Sequence, residues 1–128
     1  MIEQIPSWVG KTVLVVEDEE VARYFYKTAL QNTGVNVMFA VNGAEGVKIA
    51  SETEAIDCIL MDLRLPVMDG YEATRNIKAM YPNIPLIVQT AYVLSNERLK
   101  AFQSGCDEFI SKPVSLRTLF NVLHKYLD

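Results

Sequence analysis

The segment CILMDLRLPVMDG, residues 58–70, decides the fold of this chain. It begins as an apolar run, stops at a single carboxylate, Asp62, and continues into a proline and an Asp-Gly pair. An apolar run followed by turn residues is typical of a buried strand that delivers a polar side chain to its carboxyl end. Asp62 is therefore the first candidate for a reactive residue.

Strand and helix patterns alternate on both sides of this segment. Further apolar, β-branched runs predict strands at residues 12–16, 35–41, 86–90 and 107–111, and apolar residues at helical spacing predict helices after each strand. This alternation implies right-handed βαβ crossovers and a parallel sheet. The predicted fold is an α/β, doubly wound sheet of five strands in the order 2-1-3-4-5 with five helices. Its ligand crevice lies at the carboxyl ends of the first and third strands.

Short polar residues mark the helix starts. Asn42 and Ser115 are the predicted N-caps of the second and fifth helices, and Ser95 or Asn96 that of the fourth. Asp69 is predicted to be a structural turn residue ahead of the third helix.

Composition narrows the class of protein. Half of the 128 residues are apolar, 22% are charged and the net charge is −4, as expected for one globular domain at 11–128 behind a lead-in at 1–10. Trp8 of the lead-in is expected to pack on the domain surface. The absence of a basic patch argues against direct nucleic-acid binding. No signal peptide or long apolar run is present, which favours a cytoplasmic location without membrane contact. Cys58 and Cys106 are expected to be buried, reduced thiols.

Polar side chains follow four of the predicted strands. Glu17 and Asp18 follow the first strand, Asp62 ends the third, Thr90 ends the fourth and Lys112 follows the fifth. Because the carboxyl ends of parallel strands meet at one edge of a sheet, these side chains are expected to converge. Crowded carboxylates repel and raise one another's pKa unless a cation lies among them. An all-oxygen acidic site suits Mg²⁺.

The chemistry of this set is that of phosphoryl transfer. With Mg²⁺ bound, Asp62 would stay ionised and could attack an electrophile to give an aspartyl phosphate. The metal and Lys112 would neutralise the charge of the transferring phosphoryl group, and the hydroxyl of Thr90 could donate a hydrogen bond to it.

Four motifs in this order carry a family resemblance. They are VVEDE at 15–19, LMDLRLPVMDG at 60–70, QTA at 89–91 and SKP at 111–113. Together they resemble the receiver domain of two-component response regulators, the chemotaxis-regulator-like form of the flavodoxin-like fold, from about residue 11 to 127. The loop after Asp62 is especially similar to receivers of hybrid sensor histidine kinases. The chain could be such a domain, then cytoplasmic within a membrane-bound kinase, or a single-domain regulator.

The resemblance implies the ligands of the metal and the phosphoacceptor. Asp62 would be the phosphoacceptor and a Mg²⁺ ligand. Asp18 would bind Mg²⁺ directly, Glu17 through water, and Arg64 through its backbone carbonyl. The implied partner is a histidine kinase or a histidine phosphotransfer domain, and whether phosphorylation drives homodimer formation is left open.

The resemblance also implies roles for residues around the phosphoryl group. Lys112, followed by a cis bond to Pro113, would pair with a phosphoryl oxygen. Thr90 would bind the phosphoryl group and move with phosphorylation. Phe109 would be the switch aromatic, acting by packing because it has no hydroxyl. The implied output surface is built from the fourth helix, the fifth strand and the fifth helix.

Two large side chains distinguish this chain from its relatives. Arg64 and Tyr92 stand two residues beyond Asp62 and Thr90, where the family tunes the path of the attacking water. Their bulk predicts slow loss of the phosphoryl group.

Other functions fit the residues less well. A phosphatase of the haloacid dehalogenase type needs a second acid two residues after the nucleophile, where Arg64 stands. A nucleotide or flavin binder needs a glycine-rich phosphate loop, which the sequence lacks. A degenerate receiver would be expected to lose Asp62, Asp18 or Lys112. The expectation is a signalling domain that is not an enzyme beyond its own phosphorylation and autodephosphorylation.

Overall fold

The chain folds as alternating strands and helices, described for residues 5–91 and 94–128 in a computed structural model. The strands are β1 (Thr12–Val16), β2 (Asn36–Ala40), β3 (Cys58–Asp62), β4 (Leu86–Thr90) and β5 (Glu108–Ser111). The helices are α1 (Glu20–Leu30), α2 (Gly43–Glu52), α3 (Gly70–Met80), α4 (Ser95–Gln103) and α5 (Leu116–Leu127). One turn of 3₁₀ helix, Gln31–Thr33, follows α1.

The sheet is parallel throughout and has the strand order β2-β1-β3-β4-β5. This confirms the predicted fold and order. The register places Val16 beside Met61 and Asp62 beside Gln89. The ends of β1 and β3 therefore lie side by side at the switch point, and Asp62 emerges there.

Alternate strand residues feed two apolar layers, one on each face of the sheet. One layer joins the sheet to α2, α3 and α4; its buried members include Leu14, Ile59, Met61, Val88, Ala50, Ile77 and Ala101. The other joins it to α1 and α5; its buried members include Val13, Val15, Leu60, Ile87, Tyr26, Leu30, Leu119 and Leu123. Each fully buried Leu or Ile side chain stabilises the fold by about 1.5–3 kcal/mol. Helices on both faces explain why the central strands are continuous apolar runs.

Side-chain caps set the starts of α2 and α5 as predicted. Asn42 accepts a hydrogen bond from the backbone N–H of Glu45 at 2.8 Å. Ser115 accepts one from the backbone N–H of Thr118 at 3.1 Å. Each bond satisfies a donor that the first helical turn would otherwise leave without a partner.

The loop between β4 and α4 departs from the prediction. The helix begins at Ser95, so Leu94 occupies the N-cap position, and the prediction of Ser95 or Asn96 as the cap was wrong. The first turn closes earlier because the backbone N–H of Glu97 donates to the carbonyl of Leu94 at 2.9 Å.

Trp8 is a core residue, and the prediction that it packs on the surface was wrong. Its side chain is 1% exposed, and its ring meets the rings of Phe120 and His124 edge-on, at centroid distances of 5.7 and 5.3 Å. Its indole N–H donates to a carboxylate oxygen of Asp128 at 2.8 Å. The segment ahead of β1 is therefore fastened to the end of α5.

Two glycines hold the loop that follows β3. A Cβ on Gly43 would lie 2.0 Å from the carbonyl oxygen of Met68, and one on Gly70 would lie 2.1 Å from that of Asp62. The backbone N–H of Gly43 also donates to the Met68 carbonyl, and that of Gly70 to the Leu63 carbonyl, at 3.1 and 3.0 Å. The loop is thus packed between the first residue of α2 and the first residue of α3.

Both cysteines are free and buried, as predicted. Burial raises the pKa of the Cys58 thiol strongly and that of Cys106 to about 11, so both stay protonated and are weak nucleophiles. Within residues 5–91 and 94–128, none of the helices combines the length and apolarity that a membrane span requires.

Candidate functional site: an acidic cluster at the carboxyl edge of the sheet

The structure brings together the charged side chains that the strand ends were expected to present. Carboxylate oxygens of Glu17, Asp18 and Asp62 all lie within 4.8 Å of one another. The Lys112 ammonium lies 2.5 Å from one oxygen of Glu17 and 3.3 Å from Oδ2 of Asp62. Three acids and one cation therefore share the switch point between β1 and β3.

The cluster is largely withdrawn from solvent. The side chain of Glu17 is fully buried and that of Asp62 is 8% exposed, while Asp18 is exposed at the mouth of the cluster. Oδ1 of Asp62 accepts a hydrogen bond from the backbone N–H of Leu63 at 2.8 Å. Its other oxygen accepts from Lys112. Asp62 is thus oriented by one backbone donor and one cation.

Burial and crowding shift the protonation of these groups. Burial, helped by the charge of Asp62 and opposed by Lys112, raises the pKa of Glu17 from 4.5 to about 7. Burial by itself would lower the pKa of Lys112, but its hydrogen bond to Glu17 and the charge of Asp62 raise it overall. Lys112 therefore stays cationic, and the acids around it carry more negative charge than it can balance.

The three acids fit a hard divalent cation. Their donors are all oxygen, they converge within 4.8 Å, and they carry surplus negative charge. Burial raises the pKa of Glu17, and a bound divalent ion would favour its ionised form.

Thr90 lies next to Lys112. It is fully buried at the end of β4, in register with Ser111 of β5. Its carbonyl accepts a hydrogen bond from the backbone N–H of Lys112 at 2.8 Å, and the Lys112–Pro113 peptide bond is cis. The threonine and the lysine are therefore held at one place by the β4–β5 pairing.

A second polar group borders the site and was not predicted. Nη2 of Arg64 lies 3.8 Å from one carboxylate oxygen of Glu97 in α4, and the hydroxyl of Tyr71 donates to the other at 2.6 Å. Glu97 is 8% exposed, which is unusual for a glutamate. No sequence motif marks it, since an acid in the first turn of a helix normally serves the helix dipole.

Phe109 is partly buried in β5 beneath a cation from α4. The guanidinium carbon of Arg98 lies 5.6 Å from the ring centroid of Phe109 and 5.3 Å from that of Phe102. Arg98 thus contacts the predicted switch aromatic through a cation–π interaction. Tyr92, the other predicted tuning residue, lies outside the described residues.

An apolar groove opens beside the acidic cluster. It has a volume of about 760 Å³ and is lined by Val21 and Phe25 of α1, by Pro113 and Val114, and by Lys112 itself. A protein surface docked in this groove would contact Lys112, the lysine that pairs with Asp62.

Fold and site together define a doubly wound, parallel α/β domain with an acidic cluster at the carboxyl edge of its sheet. The family model described as the response regulator receiver domain matches residues 13–124, so the chain belongs to this family.

Three comparisons place the chain within the family. It is 32% identical over 131 residues to hybrid signal transduction histidine kinase L of Dictyostelium discoideum; the match covers 97% of the chain but 8% of that kinase. The receiver domain of sensor histidine kinase PA1611 from Pseudomonas aeruginosa PAO1, with magnesium in its active-site cleft, is 34% identical with a TM-score of 0.85, over 93% of this chain and 98% of that one. The Saccharomyces cerevisiae Ssk1 receiver domain was solved with the histidine phosphotransfer protein Ypd1. It is 27% identical to this chain with a TM-score of 0.86, and the match covers 98% of this chain and 92% of that one.

Proposed function

We propose that this domain takes a phosphoryl group from a phosphohistidine onto Asp62 and changes its surface in response. The observation that carries the proposal is the position of Asp62. Its carboxylate lies within 4.8 Å of those of Glu17 and Asp18 and 3.3 Å from the Lys112 ammonium. A carboxylate held this way has the groups that phosphoryl transfer requires on either side of it.

The transfer is a displacement at phosphorus. A carboxylate oxygen of Asp62 forms a new P–O bond while the P–N bond of phosphohistidine breaks. The electron pair of the P–N bond stays on the imidazole nitrogen, which takes up a proton. The products are an aspartyl phosphate and a free histidine on the partner.

Glu17, Asp18 and Asp62 would hold Mg²⁺, with the backbone carbonyl of Arg64 as a further ligand. When bound, the metal supplies charge neutralisation for the phosphoryl oxygens and keeps the acids ionised. The finding that supports this assignment is the convergence of three carboxylates within 4.8 Å, one of which, Glu17, has its pKa raised mainly by burial.

Lys112 and Thr90 would receive the phosphoryl group. Lys112 already contacts Asp62, so a phosphoryl oxygen on Asp62 would meet the same ammonium. Thr90 is held beside Lys112 and would donate its hydroxyl to another oxygen. Movement of Thr90 would alter the packing of Phe109, and the output surface would be the face of α4, β5 and α5.

The phosphohistidine partner would dock in the groove between α1 and the Lys112–Val114 segment. The groove is apolar, it adjoins Lys112, and Val21 on its rim is 83% exposed. The related Ssk1 receiver domain has been solved with a histidine phosphotransfer protein, which makes such a domain, or a histidine kinase, the expected partner. We expect a cytoplasmic setting and no catalytic turnover beyond the domain's own phosphorylation and dephosphorylation.

Phosphorylation with a small donor tests the proposal. The protein is incubated with Mg²⁺ and acetyl phosphate, and its intact mass is measured. The wild-type chain is expected to gain about 80 Da, the mass added by one phosphoryl group. Asp62→Asn should gain nothing, because an amide oxygen is a poor nucleophile.

Asp69→Asn is the matched control. Asp69 lies in the same loop and caps α3 by accepting a hydrogen bond from the backbone N–H of Glu72 at 2.9 Å. Asparagine caps helices equally well, so this variant should be phosphorylated like the wild type. An adduct that persists in Asp62→Asn, or a folded wild-type protein that takes up neither phosphoryl group nor beryllofluoride, would refute the proposal.

A further inference from the structure

Glu97 links α4 to the phosphoacceptor loop. It belongs to the first turn of α4, yet its side chain is only 10% exposed and is turned toward Arg64 of the loop and Tyr71 of α3. A carboxylate buried to this degree requires partners, because desolvation disfavours its charge. One oxygen has the hydroxyl of Tyr71, and the other faces the guanidinium of Arg64.

The two partners of Glu97 differ in strength. The Tyr71 hydroxyl donates at 2.6 Å, and burial together with the Glu97 carboxylate raises its pKa, so it remains a donor. The guanidinium of Arg64 lies 3.8 Å away on a side chain that is 56% exposed. An ion pair with that separation and exposure is weak. Tyr71 therefore anchors Glu97, while Arg64 can exchange this partner for a stronger one.

A stronger partner would arise at Asp62, two residues before Arg64. Arg64 and Glu97 line a cleft of about 550 Å³ whose wall also includes Asp18 of the acidic cluster. A phosphoryl group on Asp62 adds a dianion beside that cleft, and arginine binds phosphoryl oxygens more strongly than it binds a distant carboxylate. Arg64 thus faces a permanent acid on α4 and would gain a second anion, two residues away in sequence, after phosphorylation.

We propose that Glu97 is a positioning residue that competes with the phosphoryl group for Arg64 and thereby shortens the life of the phosphorylated state. This inference rests on the proposed function. While Glu97 holds Arg64, water reaches the phosphorus; when Arg64 turns to the phosphoryl group, its bulk screens the phosphorus from water. Hydrolysis forms a P–O bond to water, breaks the P–O bond to Asp62 and returns a carboxylate and inorganic phosphate. The exchange also separates α4 from the loop, since Arg64 leaves Glu97.

A double-mutant cycle tests the competition. Wild type, Glu97→Gln, Arg64→Ala and the double variant are phosphorylated with acetyl phosphate and Mg²⁺, the donor is removed, and loss of the adduct is followed by intact mass. Glu97→Gln should slow the decay by about two- to fivefold, the size expected from a half-exposed ion pair. Arg64→Ala should speed it. In the Arg64→Ala background, Glu97→Gln should change nothing.

The cycle separates positioning from structure. The inference would be wrong if Glu97→Gln changed the decay rate equally with and without Arg64. It would also be wrong if Glu97→Gln left the wild-type decay rate unaltered. Glu52→Gln, an equal change of charge on the exposed end of α2, should leave the decay rate unaltered. If Glu97→Gln does not fold, Tyr71→Phe removes only the anchoring hydroxyl and should slow the decay in the same direction; faster or unchanged decay would refute the inference. Failure of the wild type to take up any phosphoryl group would instead refute the proposed function.

Discussion

The carboxylates at the two edges of the sheet, where the strands begin (the amino edge) and where they end (the carboxyl edge), differ in their partners. At the amino edge, Asp57 accepts a hydrogen bond from the backbone N–H of Thr12 at 2.8 Å, and Asp107 accepts one from that of Leu86 at 2.8 Å. Asp107 also pairs with the ammonium of Lys78 at 2.9 Å. Each acid there has its own donors and fastens the start of a strand.

At the carboxyl edge the clustered acids outnumber the cations that contact them. Carboxylate oxygens of Glu17, Asp18 and Asp62 converge within 4.8 Å, and the ammonium of Lys112 contacts two of these acids, Glu17 and Asp62. The pKa of Glu17 rises to about 7 as a result of burial and of the neighbouring negative charge. The difference teaches that an acid alone does not indicate function, because both edges carry acids. A cluster in which acids outnumber cations does indicate function, since the repulsion among the acids destabilises the isolated fold and a bound cation relieves it.

The largest expected effect is on metal binding at the carboxyl edge. Asp18→Asn should weaken Mg²⁺ binding by at least about tenfold, because a charged ligand is lost. Without Mg²⁺, its free energy of unfolding should be unchanged or higher, because one of three repelling charges is gone. Calorimetric Mg²⁺ titration and urea unfolding measure the two quantities.

Asp57→Asn is the control from the opposite edge and should bind Mg²⁺ like the wild type. If Asp18→Asn bound Mg²⁺ as tightly as the wild type, the acids at the carboxyl edge would not differ from those at the amino edge in metal binding.

The next effect is on stability at the amino edge. Asp107→Ala should lower the free energy of unfolding by about 1–3 kcal/mol, because the buried backbone N–H of Leu86 and the ammonium of Lys78 lose their acceptor. Urea unfolding measures the loss. Phosphorylation by acetyl phosphate should stay at the wild-type level, and a selective loss of phosphorylation without a loss of stability would contradict the comparison.

The smallest effect concerns Asp128, which accepts hydrogen bonds near the amino edge. The indole of Trp8, then the ring of His124, lowers the pKa of this carboxyl below its ordinary value of 3.8. A lowered pKa contributes stability above the ordinary value, which is lost as the pH falls through the lowered one. Asp128→Asn should therefore be slightly less stable than the wild type at neutral pH, and the difference should vanish in acid.

Urea unfolding followed by the fluorescence of Trp8, the single tryptophan, measures this difference. If the difference in free energy of unfolding between the wild type and Asp128→Asn stayed constant from neutral pH into acid, the charge of Asp128 would not be its cause.

Features that depend on neighbouring residues could be predicted from the sequence. The apolar runs of the central strands and the caps Asn42 and Ser115 follow from patterns within short windows. The strand order follows from the alternation of strands and helices along the whole chain. The convergence of Glu17, Asp62 and Lys112 followed from the fold, because parallel strands end at one edge.

Features created by docking between distant segments could not be predicted. Trp8 donates its hydrogen bond to Asp128, which lies 120 residues further along the chain. Glu97 accepts one from Tyr71, which lies 26 residues earlier. Nothing local distinguishes Glu97 from an ordinary first-turn acid or Trp8 from a surface aromatic. Their burial is decided by where α4 and α5 come to rest on the sheet.

The glycines that enclose the loop after β3 also limit how this domain can diversify. Any replacement at Gly43 or Gly70 would push a carbon into a backbone carbonyl, at 2.0 and 2.1 Å respectively. Heritable change is therefore directed away from the backbone of the loop and onto its outward side chains, such as Arg64 and Val67. Substitutions at these outward positions can change the chemistry around Asp62 while the backbone that carries Asp62 stays in place.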